Sequence, residues 1–77
     1  MNIEKLEKNY ISVGIKTGEI DTELISADCK ENAQIIASYF ADMMMLGEPV
    51  KVFPYETEEE KNEFWEWYEK TFNRLKL

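Results

Sequence analysis

Tyr10-Ile11-Ser12-Val13-Gly14-Ile15-Lys16-Thr17-Gly18-Glu19-Ile20-Asp21-Thr22-Glu23-Leu24-Ile25-Ser26 reads as two alternating runs joined by a turn. In the first run Ile11, Val13 and Ile15 share one face, while Tyr10, Ser12, Gly14 and Lys16 share the other. Side chains of a strand alternate between its faces, so this pattern predicts a strand with one apolar side. Thr17-Gly18 follows, and glycine supplies the positive φ that a tight hairpin needs. Glu19 to Ser26 alternates again, with Ile20, Thr22 and Leu24 on a common face. A two-residue turn predicts the pairs Lys16–Glu19, Ile15–Ile20, Val13–Thr22 and Ile11–Leu24. That register sets apolar side chains opposite one another and a lysine opposite a glutamate, as cross-strand pairing favours.

Beyond the hairpin, Asp28 and Glu31 have the spacing of a capping box. The helix they open carries Cys29, Ala33, Ile36, Ala37, Phe40, Met43 and Met44 on one face. Gly47 is placed to end it at C′, and Pro49 blocks its continuation. Val50 to Phe53 is a short strand, set at an edge by Pro54. Thr57 and Glu60 form a second capping box, with Glu58 to Glu60 where the helix dipole welcomes negative charge. This last helix runs to about Leu75, with Phe64, Tyr68, Thr71 and Leu75 at the centre of its apolar arc. Trp65 and Phe72 fall on one margin and Trp67 on the other, and Lys70, Arg74 and Lys76 suit the C-terminal carbonyls. Ile3 and Leu6 add an opening helical turn. The expected fold is therefore α+β, a two-layer sandwich in the order (α)ββαβα. It has a three-stranded, mostly antiparallel sheet with both helices on one face, and a right-handed crossover through the first helix. Whether the third strand lies beside the first or the second stays open.

The chain of 77 residues reads as one domain over 1–77, and 44% apolar content suffices for a core. A single cysteine, Cys29, and no histidine exclude an internal disulfide and a Cys/His zinc site. No run reaches the roughly 20 apolar residues of a membrane helix, and the start lacks the apolar core of a signal peptide. These features predict a cytoplasmic protein. Its net charge of −7 disfavours direct binding to nucleic acid or anionic membrane and suits a protein partner with a basic surface.

Catalytic material is thin. Cys29 has no histidine base and falls on the core face, where a free cysteine packs as a small apolar residue. Ser12, Ser26 and Ser38 lack a base or an oxyanion motif, and the glycines do not open a phosphate-binding helix. The glutamates of the last helix lie on its solvent side rather than in a cleft that would separate their pKa values. No catalytic residue, cofactor or metal site is expected.

The charge is concentrated near the end of the chain. Glu56, Glu58, Glu59, Glu60, Glu63, Glu66 and Glu69 are offset only by Lys61. Glu59, Glu63 and Glu66 recur at steps of three and four, about 4.5–6 Å along a helix axis. That interval is of the order of the phosphate spacing of a nucleic-acid strand, so the row can act as a nucleic-acid mimic towards a basic groove. A solvated helix face is the plainer reading of the same residues. Trp67 at the margin would add an apolar anchor. A second acidic set, Glu19, Asp21 and Glu23, shares the sheet face away from Ile11 and Val13, with Tyr10 and Ile25 as its apolar margin. With both helices on the other side, that sheet face would be open and negative.

The first helix has more apolar residues than one face needs. Ile35, Tyr39 and Leu46 lie off the core-facing centre and Met45 further round. Burial on two sides is the favoured reading, and a dimer or partner contact is the other. In size, charge and compactness the chain resembles the small acidic proteins that phages and mobile elements use against host enzymes, which implies action in a host cytoplasm; the resemblance assigns no residues. The expected function is a non-catalytic inhibitor or regulator that binds a basic surface of a nucleic-acid-handling protein. Glu59, Glu63, Glu66 and Trp67 would make the main contact, with Glu19, Asp21 and Glu23 second. The alternative is a homo-oligomeric accessory protein, such as a homodimer, built on the aromatic helix rim and a strand edge. A small-ligand binder or minor enzyme comes last, because so short a chain can hardly enclose a pocket.

Overall fold

The computed structural model describes residues 7–73, so the opening turn expected at Ile3 and Leu6 lies outside the described residues, as do Arg74, Leu75 and Lys76. Three strands, β1 (Lys8–Gly14), β2 (Ile20–Ala27) and β3 (Val50–Pro54), make one antiparallel sheet in the order β2-β1-β3. Helix α1 (Lys30–Met43) joins β2 to β3, and α2 (Glu58–Phe72) follows β3. This is the expected α+β domain in the order ββαβα, with the third strand now placed beside the first.

The helices do not share a face. Tyr10, Ile25, Ala27 and Val52 pack with Ala33 and Ala37 of α1. Ile11 and Val13 pack with Phe64 and Tyr68 of α2. Tyr10 and Ile11 are neighbours on one strand and point oppositely, so the sheet lies between the two helices. The expectation of both helices on one side took Tyr10, Ser12 and Gly14 for a solvated face. β1 is the central strand, and its residues from Tyr10 to Gly14 are buried. A strand covered on both faces has no polar side to show.

The two layers are built differently. α1 presents Ala33, Ala37 and Ala41 at four-residue steps, and these are its buried residues. Such small side chains let the helix backbone lie close to the sheet. α2 uses aromatics instead: Phe64 meets Phe53 edge-on at 5.3 Å, and Tyr55 at 5.7 Å. Trp65, Trp67 and Phe72 fill the flanks half-buried, whereas Thr71, expected at the centre of the arc, is exposed.

The hairpin keeps the expected register at its open end, where Tyr10 faces Ile25, and shifts by two at its closed end, where Val13 faces Ile20. Thr22 to Leu24 stand against Ile11 alone, a bulge in β2. The cause is a wider turn. Gly14 N–H donates to the Glu19 carbonyl (2.8 Å) and Gly18 N–H to the Gly14 carbonyl (2.8 Å), with Gly18 at φ 76°. Ile15 leaves β2 and donates instead to the Pro49 carbonyl (3.1 Å). The Glu48 carboxylate then accepts Lys16 N–H (2.9 Å), Thr17 N–H (3.0 Å) and the Thr17 hydroxyl (2.7 Å). These bonds hold Glu48 below the usual carboxylate range, the Thr17 hydroxyl contributing most.

Helix ends differ in part from expectation. The N-cap of α1 is Cys29 rather than Asp28, with no side-chain cap. Asp28 instead accepts the Asn32 side-chain amide at 2.7 Å, which lowers its pKa. At the other end Met45, not Gly47, takes the left-handed C′ position, at φ 55°. Met45 N–H bonds the Asp42 carbonyl and Leu46 N–H the Ala41 carbonyl, both at 3.1 Å, completing a Schellman motif. The capping box of Thr57 and Glu60 forms as expected, and α2 stops at Phe72 rather than near Leu75 because Asn73 turns left-handed (φ 53°). On the outer edge of β3, the Gln34 side chain donates to the Val50 carbonyl (2.7 Å) and accepts Val52 N–H (3.2 Å). One residue of α1 thus occupies hydrogen-bonding groups that an added strand would use.

Candidate interaction surface

Glu59, Glu63 and Glu66 lie exposed along the outer side of α2. The helix divides them. Glu63 borders a shallow depression with Phe53, Pro54 and Trp67, while Glu66 borders another with Asn62, Trp65 and Glu69. Lys70 continues the row and approaches Glu66 at 4.0 Å, both side chains about three-quarters exposed, a pair of little energetic value. Cations surround this layer. Lys8 bonds Glu60 at 2.6 Å, Lys30 and Lys51 sit over the Phe53 ring, and Lys61 over the Tyr55 ring. Lys8 and the capping amides together bring the Glu60 carboxyl down to about 2. Trp67 is half-buried, its ring tilted against Phe53 at 4.4 Å with the Lys51 ammonium 5.6 Å from its own ring. It is chiefly a packing residue of the α2 layer.

Glu19, Asp21 and Glu23 lie on the opposite side of the molecule, towards α1. The sheet face there is not open, because α1 covers Tyr10 and Ile25. What remains is a groove between β2 and the C-terminal half of α1. Asp21, Glu23, Leu24, Ile25 and Ser26 form one wall and Ile36, Phe40 and Met44 the other, around about 420 Å³. A second depression continues it past Glu19, Leu46 and Glu48, sharing Asp21, Glu23 and Met44. No lysine or arginine is among the described residues lining either part. Asp21 accepts Glu23 N–H at 3.0 Å, which fixes the local backbone and leaves the Glu23 carboxylate exposed.

The largest departure from sequence reasoning is the apolar surface beside this groove. Ile35, Tyr39, Phe40, Met43, Met44, Met45 and Leu46 are all exposed, from 42% at Leu46 to 87% at Met45. Helical spacing puts Phe40, Met43 and Met44 on the core face and favours two-sided burial for the others. Neither holds, because the two helices are on opposite sides of the sheet and the alanines occupy the inner arc of α1. The signal was present at Ala33, Ala37 and Ala41, whose spacing marks a face of its own. Isolated apolar side chains on a surface are ordinary, but a contiguous cluster of this breadth is uncommon on a monomer.

Among the described residues no three His, Cys, Asp or Glu side chains gather in a way that could hold a metal ion. No helix among them is long and apolar enough to cross a membrane. Cys29 is half-buried at the N-cap of α1. In comparisons with known proteins the chain matches no family model, no curated protein and no solved structure.

Proposed function

We propose that this chain is a non-catalytic interaction protein that inhibits or regulates another protein by covering a basic, partly apolar surface of it. The observation that carries this reading is the juxtaposition on one side of the molecule of an exposed Met- and aromatic-rich helix face with Asp21 and Glu23. Desolvation of the apolar cluster would supply affinity, and the carboxylates would select a cationic surface and speed encounter. The backbone adds support. Met45 holds a left-handed conformation in which glycine is less strained, yet shows its side chain almost wholly to solvent. A local cost retained at an exposed apolar residue fits a surface that has a use.

Within this reading the two acidic sets change rank. Glu19, Asp21 and Glu23 become the first contact set because they border apolar surface in a groove whose described lining residues include no lysine or arginine. Glu59, Glu63 and Glu66 become the second, because lysines surround their helix and Lys70 interrupts the row. The nucleic-acid-binding face of a DNA- or RNA-handling protein remains the target class that a net charge of −7 suits. Affinity capture from the native host followed by mass spectrometry tests the proposal. A reproducible partner with a basic surface, whose binding weakens as salt is raised, is the expected result; a chain that captures no protein, or binds with no salt dependence, overturns it.

A further inference from the structure

Resting on that reading, we infer that the groove between β2 and α1 is a docking site for an amphipathic, basic helix of the partner protein. Ile36, Phe40 and Met44 stand four residues apart on α1, giving an apolar wall about 12 Å long at ~1.5 Å per residue. Two turns of a second helix, with apolar residues at i, i+3, i+4 and i+7, span that length. The facing wall carries Asp21 and Glu23, so lysine or arginine flanking the apolar stripe would meet carboxylates. Leu24, at 41% exposure, lines the same wall and adds apolar area on the acidic side. The depression continuing past Leu46 and Glu48 makes the site elongated, which suits a polymer better than a small molecule.

Two other occupants fit less well. An added strand would need the free edge of β2, but the bulge at Thr22 to Leu24 disrupts that edge. A second copy of this chain would bring its own Asp21 and Glu23 to the groove. The described lysines that could answer them lie mostly around α2, at Phe53, Tyr55, Glu60 and Glu66, and Lys16 is in the hairpin turn. Charge complementarity therefore favours a basic partner helix.

The test uses a fluorescent synthetic peptide of 16–18 residues, with leucine at i, i+3, i+4 and i+7 and lysine elsewhere. Its controls are a version with glutamate for lysine and a scrambled version with the same composition. Anisotropy titrations are run on the whole chain, on Asp21→Asn/Glu23→Gln, on Phe40→Ser and on Glu59→Gln/Glu63→Gln/Glu66→Gln, with amide NMR to locate the contact. The expected result is binding of the lysine peptide alone. The β2 double variant should weaken it ~3–10-fold and Phe40→Ser at least about tenfold, while the α2 triple variant leaves it unchanged. Shifts should fall on Leu24, Ile36, Phe40 and Met44. Equal binding of the scrambled peptide, an equal loss in the α2 variant, or an apolar face already filled by self-association in light scattering overturns the inference. The captured partner separates the two levels. If it binds the chain in a salt-dependent way but is insensitive to the β2 and Phe40 variants, the groove and the first contact set fail, and an inhibitor or regulator acting through another acidic surface stands.

Discussion

Glu48 fills the space that a side chain on Gly14 would need: its carboxyl carbon lies 2.6 Å from the position of a Cβ there. Gly14 is not in a left-handed conformation, so approach rather than backbone geometry requires the glycine. Gly14→Ala would push the carboxylate off Lys16, Thr17 and the Thr17 hydroxyl. The expected result is a lower midpoint of urea unfolding. In a Glu48→Ala background the same change should cost nothing, because alanine suits a strand better than glycine does. Additive losses in the double variant would refute the account.

Acid should remove the support that Glu60 gives. Its carboxyl is held at about 2, below its ordinary 4.5, first by Lys8 and then by the capping amides. The native state therefore binds this proton less readily than the unfolded chain does. The contribution is complete above about pH 4.5 and disappears as pH falls towards 2. Lys8 is raised rather than lowered and changes nothing in this window. Glu60→Gln keeps a capping side chain and loses the ion pair, so it should cost less than about 1 kcal/mol near neutrality. The thermal midpoints of wild type and variant should then converge as pH drops through the window; parallel curves would refute the assignment.

A second tie crosses the molecule at Tyr68, whose hydroxyl donates to the Gly18 carbonyl at 2.5 Å in a buried setting. It fastens α2 to the hairpin turn. Tyr68→Phe removes the donor and leaves that carbonyl short of a partner, an expected loss of about 1–2 kcal/mol. Amide exchange should quicken at Gly18 and in the turn, and an unchanged turn would show that the bond is not structural.

The alanines of α1 set how near the helix lies to the sheet. Ala37→Leu inserts a larger side chain at a position only 4% exposed and should cost about 1–3 kcal/mol through overpacking. Ile35→Ala, on the exposed side of the same helix, should stay within about 0.5 kcal/mol. Equal effects at the two positions in urea unfolding would contradict the assignment of faces.

Met45 gives the opposite sign. Glycine at this left-handed position should raise stability by about 0.5–1 kcal/mol. If Met45 serves partner binding, the same variant should bind the captured partner more weakly, so stability and affinity move in opposite directions. A stabilised variant with undiminished affinity would remove Met45 from the contact surface.

The elements were readable wherever a local signal was strong. Alternation from Tyr10 to Ser26 marks the hairpin, the Thr57–Glu60 spacing marks the start of α2, and Pro54 marks an edge strand. What escaped reading depends on partners remote in sequence. Glu48 reaches back to Lys16 and Thr17 and widens the turn, and that reach sets the register of the hairpin. The facing of Tyr10 depends on which strand becomes central, and alternation within β1 cannot specify this. Asp21 and Glu23 could be found as acidic positions, but their apolar neighbours could not. Phe40 and Met44 share a wheel sector with residues of a core, and only the alanines beside them decide which face turns inward.

The sheet carries the alanine-lined layer on one face and the aromatic layer on the other, and β1, at its centre, contributes neighbouring residues to both. Opening of α1 would leave Ile11 and Val13 beneath Phe64, and fraying of α2 would leave Tyr10 beneath Ala33 and Ala37. Amides from Tyr10 to Val13 should therefore be the last to take up deuterium. Those of α1 should exchange on a faster and separate clock, so the helix that carries the proposed docking surface could adjust while the centre of the sheet stays closed.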